Sequence, residues 1–234
     1  MNQVFITAHR GNSEKAPENT ISALNLAILA GADYAEVDVQ QLKDGSLVLF
    51  HDYHLQRVAR VNKNIWDFDY EQLQELDVGS WFHADFTGEK VPSLAAAIDA
   101  VQGKLKLNLE LKLNGHEVNL AQKVVEIIRE KNFQEDCVIS SFDYPTLMTV
   151  RQIAPEIKIG KIIAHQVENI SEFDVDFYAV CAPVATVEFI NAAHQGLREV
   201  HVWTINEVEE MKQFISFGVD NLITNRPEIA KKLR

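Results

Sequence analysis

The sequence predicts an α/β protein that folds as one (β/α)8 TIM barrel with a small insertion after the second strand. Three observations predict this fold. Short apolar, β-branched runs alternate with amphipathic stretches from end to end, which is typical of a parallel sheet. Eight such units fit into 234 residues, close to the about 250 residues of a typical closed barrel. Titratable residues follow the strand candidates, where barrel enzymes keep their active sites.

Each predicted strand is a short apolar run bounded by turn residues. The strands are expected at 4–8, 34–41, 106–111, 137–141, 158–163, 177–182, 200–204 and 221–224, and a piece at 47–50 extends the second strand after the turn at 43–46. Each predicted helix has amphipathic spacing, and Gly31 is the expected stop of the first one. The helices are expected at 20–30, 93–101, 119–131, 144–154, 186–195, 207–217 and 227–233.

Two stretches interrupt this alternation. Residues 53–92 are polar, aromatic and irregular, and we interpret them as the insertion. Residues 164–176 (AHQVENISEFDVD) lie where the fifth helix belongs, and only a short helix fits there. The chain has no low-complexity segment and no Pro/Gly-rich linker, so residues 1–234 are expected to form a single domain.

Composition excludes several classes of function. The net charge of −12 disfavours a general binder of nucleic acid or anionic membranes, which would need a basic face. A small anionic substrate stays compatible with it, because a bound cation can reverse the local charge of a site. The sequence contains no run of eighteen apolar residues, so no membrane-spanning helix is predicted. We also expect no secretory signal. The two cysteines, Cys137 and Cys181, lie in apolar runs and indicate buried thiols in the cytoplasm. A homodimer is compatible with the chain, whose oligomeric state stays open.

Three carboxylates lie on two strands that a barrel would place side by side. Glu36 and Asp38 are two residues apart, so their side chains point to the same face of a strand. Glu110 and Lys112 repeat this spacing on the next strand. The three carboxylates form a hard-oxygen site suited to one divalent cation, Mg²⁺ or Ca²⁺. The alternative is an inward salt-bridge network in which Lys112 neutralises the acids.

Two histidines, His9 and His51, each end an apolar strand. Imidazole titrates near neutrality, so one can take a proton while the other protonates a leaving group. Arg10 adds a bidentate donor suited to phosphate. With the carboxylates and a lysine, these residues suit the cleavage of a phosphate ester. Phe142 and Trp203, also at strand ends, are either core plugs or an apolar wall for an uncharged part of the substrate.

Ordered motifs run along almost the whole chain. They are AHRG at 8–11, PENT at 17–20, GAD at 31–33, EVDV at 36–39, KDG at 43–45, HD at 51–52, LDVGSWF at 76–82, VPSL at 91–94, LELK at 109–112, SSF at 140–142, VWTIN at 202–206 and GVD at 218–220. In this order the motifs resemble those of the glycerophosphodiester phosphodiesterases. The complete ordered set is specific for this family, whereas any single tetrapeptide would be a weak indication.

The resemblance implies a metal-dependent TIM barrel that hydrolyses glycerophosphodiesters to glycerol 3-phosphate and an alcohol. The general acid and base of the family correspond to His9 and His51, and its cation ligands to Glu36, Asp38 and Glu110. Phosphate contacts fall on Arg10 and Lys112, and the substrate wall on Phe142 and Trp203. The attacking group is left open between water and the glycerol hydroxyl beside the ester, as is the assignment of acid and base.

Two positions differ from the usual pattern of the family. Leu42 replaces a threonine before Lys-Asp-Gly, and Asn225 replaces an aspartate in the final Thr-Asp-Arg-Pro motif. The second change concerns a supporting or helix-capping carboxylate and replaces none of the proposed catalytic groups. Two other functions stay open: a lysophospholipase-D-type activity with the same residues, and a catalytically silent barrel that binds phosphorylated metabolites or a protein.

Overall fold

Eight parallel strands close into a barrel in the computed structural model, which describes residues 3–234. Together with one short antiparallel strand, β3, the strands in chain order are β1 (Phe5–His9), β2 (Tyr34–Gln41), β3 (Leu47–Leu49), β4 (Lys106–Leu111), β5 (Cys137–Ser141), β6 (Lys158–Ile163), β7 (Phe177–Cys181), β8 (Glu199–Trp203) and β9 (Asn221–Thr224). Each parallel strand pairs with the next one around the ring, and β9 pairs with β1 to close it. The predicted TIM barrel is therefore confirmed.

The alternation of side chains along β2 divides the strand between two environments. Ala35, Val37 and Val39 are fully buried in the main apolar core, which lies between the strands and the surrounding helices. Glu36 and Asp38 alternate with them and therefore face the barrel axis. The register with β4 places Asp38 directly opposite Glu110. Strand pairing thus brings the carboxylates together before any ligand is considered.

Nine α-helices lie in residues 3–234, and two of them are single turns inside the insertion. They are α1 (Ile21–Leu29), α2 (Gln56–Ala59), α3 (Tyr70–Leu73), α4 (Leu94–Val101), α5 (Leu120–Glu130), α6 (Tyr144–Ile153), α7 (Val187–Gln195), α8 (Val208–Phe217) and α9 (Pro227–Leu233). The hydroxyls of Thr20, Ser93 and Thr186 cap α1, α4 and α7 by accepting a backbone N–H three residues on. Such caps stabilise a helix by about 1 kcal/mol each. None of the helices in the described residues has the length and apolar content needed to cross a membrane.

The insertion between β3 and α4 has its own small core. Buried side chains from α2, α3 and the turns around them, including Leu55, Val58, Ile65 and Leu73, form an apolar cluster with Phe50 at the end of the β3 segment. Full burial of each such side chain stabilises the fold by about 1.5–3 kcal/mol. This cluster fixes the insertion beside the mouth of the barrel.

Two predicted elements differ in the structure. The piece expected to extend the second strand is β3, which pairs antiparallel with β2 because the turn at 43–46 reverses the chain. The short helix expected at 164–176 is a single 3₁₀ turn, Ile170–Glu172. The carbonyl of Ile170 accepts a hydrogen bond from the Tyr178 hydroxyl at 2.6 Å, which ties this loop to β7.

Candidate active site

A cavity of about 190 Å³ opens at the carboxyl ends of the barrel strands. Every site residue predicted from the sequence except Asp38 lines this cavity. One side is polar and is formed by His9, Arg10, Glu36, His51, Glu110 and Lys112, and the other is largely apolar, formed by Phe142, Ile162, Ala179, Trp203 and Ile223. Asp38 is fully buried directly beneath the polar side, where Arg10 and Lys112 contact it. The structure therefore brings all nine predicted residues into one site.

The turn after β1 places the first two of these residues. Arg10 and Gly11 both have left-handed backbone conformations, with φ of 55° and 77°. A Cβ at position 11 would lie 2.7 Å from Ala23 of α1, so only glycine fits there. The turn directs the backbone N–H of Arg10 to Glu36, whose Oε2 accepts it at 2.9 Å. This arrangement explains why Gly11 must follow the His-Arg pair.

Glu36, Asp38 and Glu110 each offer an oxygen within 4.8 Å of the others. Burial and the neighbouring Asp38 raise the pKa of Glu36 well above its usual value. The same two causes, in the same order, raise the pKa of Glu110 to about 7. Burial also opposes ionisation of Asp38, but Lys112 and Arg10 outweigh it and hold the pKa of Asp38 below its usual value. Three carboxylates are thus crowded into a space that favours added positive charge.

Lys112 contacts two of the three carboxylates. Its Nζ lies 3.4 Å from an oxygen of Asp38 and 3.4 Å from an oxygen of Glu110. Both distances exceed the about 2.7–2.9 Å of a strong charge-assisted hydrogen bond. Lys112 makes no such contact with Glu36, whose buried Oε1 has no hydrogen-bond partner among residues 3–234. The inward salt-bridge network therefore exists only in part, and it leaves Oε1 of Glu36 without a partner in the described part of the chain.

This unpartnered oxygen tests whether the cluster suits a metal ion. Divalent cations such as Mg²⁺ and Ca²⁺ bind carboxylate oxygens. A cation would contact the orphaned oxygen of Glu36 and offset the repulsion that raises the pKa values of Glu36 and Glu110. The donor set of Glu36, Asp38 and Glu110 fits a hard divalent cation on both grounds.

His9 is held by a side chain from the last barrel strand. Its Nδ1 lies 2.7 Å from Oδ1 of Asn225, and its Nε2 lies 3.9 Å from Glu36. Burial, with a smaller contribution from Arg10, lowers the pKa of His9 to about 4, although the hydrogen bond to Asn225 opposes the shift. Since the amide oxygen of Asn225 can only accept, Nδ1 carries the hydrogen in the neutral ring. Nε2 is then free to accept a proton at neutral pH.

His51 is held by its sequence neighbour. Nδ1 of His51 lies 2.8 Å from Oδ1 of Asp52, which again leaves Nε2 free. The segment itself is fixed by Gln40, whose Nε2 donates to the carbonyls of Phe50, His51 and Asp52 at 2.7, 3.2 and 2.9 Å. Gln40 is the next inward-facing residue of β2 after Asp38, so one strand holds both the carboxylates and the histidine segment.

The apolar side is formed by two aromatic rings at strand ends. Phe142 and Trp203 meet edge to face, with ring centroids 6.3 Å apart. Phe142 is half exposed, so it borders the cavity rather than filling the barrel interior. Both rings therefore line the apolar side of the cavity, and Ile162 and Ile223 extend this side inward.

The chain is similar to known proteins both in sequence and in structure. Residues 9–229 match the model of the glycerophosphoryl diester phosphodiesterase family. The chain belongs to this family. A glycerophosphodiester phosphodiesterase of Caldanaerobacter subterraneus subsp. tengcongensis is 33% identical over 237 residues, which cover 97% of this chain and 96% of the relative.

Solved structures agree with this assignment. An Oleispira antarctica phosphodiesterase in complex with the product sn-glycerol-3-phosphate matches with a TM-score of 0.93 at 28% identity, over 98% of this chain and 96% of that one. A glycerophosphodiester phosphodiesterase from Thermotoga maritima matches with a TM-score of 0.82 at 27% identity, over the full length of both chains. The chain is thus a phosphodiesterase of the class that the sequence predicted.

The position at which Asn225 replaces the usual aspartate supports the active site of this phosphodiesterase. Asn225 contacts His9 directly, as a supporting residue would. The strand-end position of residue 225 could have indicated this, because β9 pairs with β1 and their carboxyl ends meet. His9 therefore has a neutral partner where the family usually offers a carboxylate.

Four further residues of the phosphodiesterase support the site and escaped prediction. Asn19 uses its side-chain amide to bond both the backbone N–H and the carboxylate of Asp38. Gln40 and Asp52 fix His51, as described above. Arg57 of the insertion reaches Asp52 at 2.7 Å. Asp52 was visible as the neighbour of His51, but no pattern in the sequence connects Arg57 with the site.

Proposed function

We propose that this phosphodiesterase hydrolyses glycerophosphodiesters by general acid–base catalysis with His9 and His51, assisted by one divalent cation, Mg²⁺ or Ca²⁺, at Glu36, Asp38 and Glu110. The observation that carries the proposal is that both histidines line one cavity together with Glu36 and Glu110, and Asp38 completes the carboxylate cluster beneath it. A bound cation would supply Lewis-acid stabilisation of charge on the phosphoryl oxygens. Arg10 and Lys112 would hold the same oxygens by charge-assisted hydrogen bonds.

The shape of the site supports an orientation for the substrate. His51 and Lys112 border both the deep cavity and an outer groove of about 560 Å³, which is also lined by Tyr53 and His54. With the phosphoryl group at this border, the glycerol moiety lies in the deep cavity against Phe142 and Trp203. The departing alcohol then lies in the outer groove.

This orientation supports separate roles for the histidines. His9 lines only the deep cavity, and its pKa of about 4 keeps it neutral at pH 7, as a general base must be. His51 borders the outer groove, next to the departing alcohol, and serves as the general acid. The base activates either water or the glycerol hydroxyl beside the ester, and the second route passes through a cyclic phosphate.

The size of the deep cavity favours deacylated diesters over lysolipids. A volume of about 190 Å³ corresponds to about six water molecules. It suits a glycerol unit, whereas a long acyl chain on the glycerol would have to leave through the mouth.

We further propose that the barrel and its insertion act as one domain. We also propose that the enzyme works in the cytoplasm, where its free thiols at Cys137 and Cys181 stay reduced.

A substrate panel tests this function. The purified enzyme is incubated with glycerophosphocholine, glycerophosphoethanolamine, glycerophosphoglycerol and lysophosphatidylcholine, each with Mg²⁺, with Ca²⁺ and with a chelator. Release of glycerol 3-phosphate from the deacylated diesters, abolished by chelator, supports the proposal. Faster turnover of the lysolipid would favour a lysophospholipase-D-type enzyme. Calorimetric binding of the diesters without turnover in any metal would favour a silent barrel.

A further inference from the structure

Arg57 lies outside the barrel, on α2 of the insertion, and holds two carboxylates at once. Its guanidinium nitrogens Nε and Nη2 contact the two oxygens of Asp52 at 2.7 and 3.0 Å. Nη1 and Nη2 contact the two oxygens of Glu18 at 3.0 and 2.6 Å. Both contacts are bidentate, which is the strong and geometrically specific form of an arginine–carboxylate pair.

Each of these carboxylates also holds a residue proposed to act on the substrate. Oδ1 of Asp52 accepts from Nδ1 of His51 at 2.8 Å. Oε1 of Glu18 accepts from Nη1 of Arg10 at 2.9 Å. One guanidinium thus connects, through a single carboxylate on each side, to the proposed general acid and to the proposed phosphate-binding arginine.

The ionisation of Asp52 and Glu18 also depends on Arg57. Burial acts to raise the pKa of Asp52, but hydrogen bonds from Arg57 and His51 outweigh this effect and lower the pKa to about 2. Burial likewise opposes ionisation of Glu18, and Arg57 followed by Arg10 holds the pKa of Glu18 below its usual value. Glu18 is only 14% exposed, so it needs a cationic partner to stay ionised.

The insertion fixes where this guanidinium lies. Val58, the next residue of α2, is buried in the apolar cluster of the insertion. The guanidinium itself stacks over the Trp81 ring, with 5.3 Å between Cζ and the ring centroid. Arg57 therefore arrives at the site from a packed element, and the insertion gains a direct connection to catalysis.

We propose that Arg57 is a positioning residue that orients His51 through Asp52 and Arg10 through Glu18. The inference rests on the proposed roles of these two residues. Without Arg57, Asp52 loses the two bonds that set its rotamer, and the His51 ring loses a fixed acceptor. Glu18 then has Arg10 as its main cationic partner and draws the Arg10 guanidinium away from the position of the phosphoryl group. The planar fork is essential, since a lysine ammonium cannot bond two carboxylates in this geometry.

The test compares three variants of the full-length enzyme. Arg57→Met removes the fork and keeps an aliphatic stem, and Arg57→Lys keeps only the charge. Arg129→Met is the matched control, because Arg129 is similarly exposed and pairs with Glu156, and neither residue lines the cavity or the outer groove. For each variant, kcat and KM are measured with glycerophosphocholine, melting is followed by circular dichroism, and the His51 ring is observed by long-range ¹⁵N–¹H NMR.

We expect Arg57→Met to lower kcat by about 100-fold and Arg57→Lys by about tenfold, because small misplacements of catalytic groups are costly. Arg129→Met should stay within about twofold of the wild type, since exposed ion pairs contribute little. In the NMR spectra the wild-type His51 ring should be protonated at Nδ1, and Arg57→Met should lose this single tautomer. Both Arg57 variants should melt within a few degrees of the control.

Two results would overturn the proposal. One is a wild-type kcat in Arg57→Lys or Arg57→Met, and the other is an unchanged His51 tautomer in Arg57→Met. Because Arg57→Lys retains the charge, it answers the question even if the methionine variant does not fold. If the wild type itself fails to turn over any diester, the proposed function fails instead. The NMR comparison would still decide whether Arg57 orients His51.

Discussion

Nδ1 of His9 lies 2.7 Å from the side-chain oxygen of Asn225, which joins the ends of the first and last barrel strands. The contact orients the ring through a neutral amide. It fixes the tautomer in which Nε2 is free, and it adds no negative charge that would retain a proton on the ring. The low pKa of His9, about 4, is caused mainly by burial and next by the positive charge of Arg10.

Replacing Asn225 with aspartate should therefore raise the pKa of His9. A carboxylate at the same distance stabilises the imidazolium, so the neutral base becomes available only at higher pH. We expect the acid limb of the pH profile of kcat/KM to move up by about 1 unit or more in Asn225→Asp. Asn225→Ala, which loses the bond that favours the charged ring, should move the limb the other way. An identical acid limb in all three enzymes would exclude His9 as the base.

The two histidines should respond differently to the leaving group. His9→Ala and His51→Ala should each lower kcat for glycerophosphocholine by about 100- to 10,000-fold, the usual contribution of a general acid or base. A diester with a p-nitrophenol leaving group needs no protonation, so His51→Ala should recover most of its activity there while His9→Ala should not. Recovery of His9→Ala alone would reverse the assignment of acid and base.

The carboxylate cluster should make the metal-free protein less stable as the pH rises. The pKa of Glu110 is about 7 in the folded protein, above the ordinary value of 4.5 that the unfolded chain retains. Between these values the folded state keeps a proton that the unfolded state has released, so the contribution of Glu110 to stability is greatest below pH 4.5 and is lost as the pH rises through 7. The loss amounts to about 3 kcal/mol at most.

Melting temperatures measured in chelator between pH 5 and pH 8 check this expectation. Added Mg²⁺ or Ca²⁺ should raise the melting temperature more at pH 8 than at pH 5, because the cation replaces the proton. Glu110→Gln, which cannot titrate, should show a flatter pH profile and a smaller metal effect. Equal melting at both pH values in chelator, with no response to either metal, would contradict a cation site here.

The barrel and most of the site were predictable because they depend on local patterns. The spacing of Glu36 and Asp38 sets a common face, and parallel pairing then places Glu110 beside them. The paired strand ends bring His9 to the same cavity. The resemblance of ordered motifs to the family added the roles of Phe142 and Trp203, for which the residues alone left a core position equally open.

The contacts that escaped prediction depend on side-chain reach across elements far apart in sequence. Asn225 meets His9 only because the barrel closes, and Arg57 meets Glu18 only because the insertion packs beside the mouth of the barrel. The turn Ile170–Glu172 replaces a helix because the loop at 164–176 offers few apolar residues to bury. Periodicity carries no information on such contacts, since it describes one element at a time.

Removing the exposed half of the apolar wall should weaken substrate binding. Phe142 is half exposed at the rim of the cavity, so Phe142→Ala should leave the fold intact. We expect the KM for glycerophosphocholine to rise by about tenfold with kcat nearly unchanged, since the lost apolar contact is made equally before and during reaction. Leu29→Ala, at another exposed apolar residue, is the control. A drop in kcat with an unchanged KM would show that Phe142 acts in the transition state.

The barrel interior below the site should not tolerate a single added methyl group at Gly160. A Cβ built on Gly160 of β6 would lie 2.0 Å from the ring of Phe177. This ring is fully buried and is stacked on the ring of His201, with 4.3 Å between the ring centroids. The ring has no room to move, so Gly160→Ala should lower the free energy of unfolding by about 1–3 kcal/mol. Phe177→Leu shortens the side chain, and the double variant should be more stable than the sum of the two single changes predicts. Gly196→Ala, for which the nearest heavy atom to the added Cβ is 3.3 Å away, serves as the control and should lower the free energy of unfolding less than Gly160→Ala. Strictly additive denaturation energies, measured with urea, would show that the two residues do not compete for the same space.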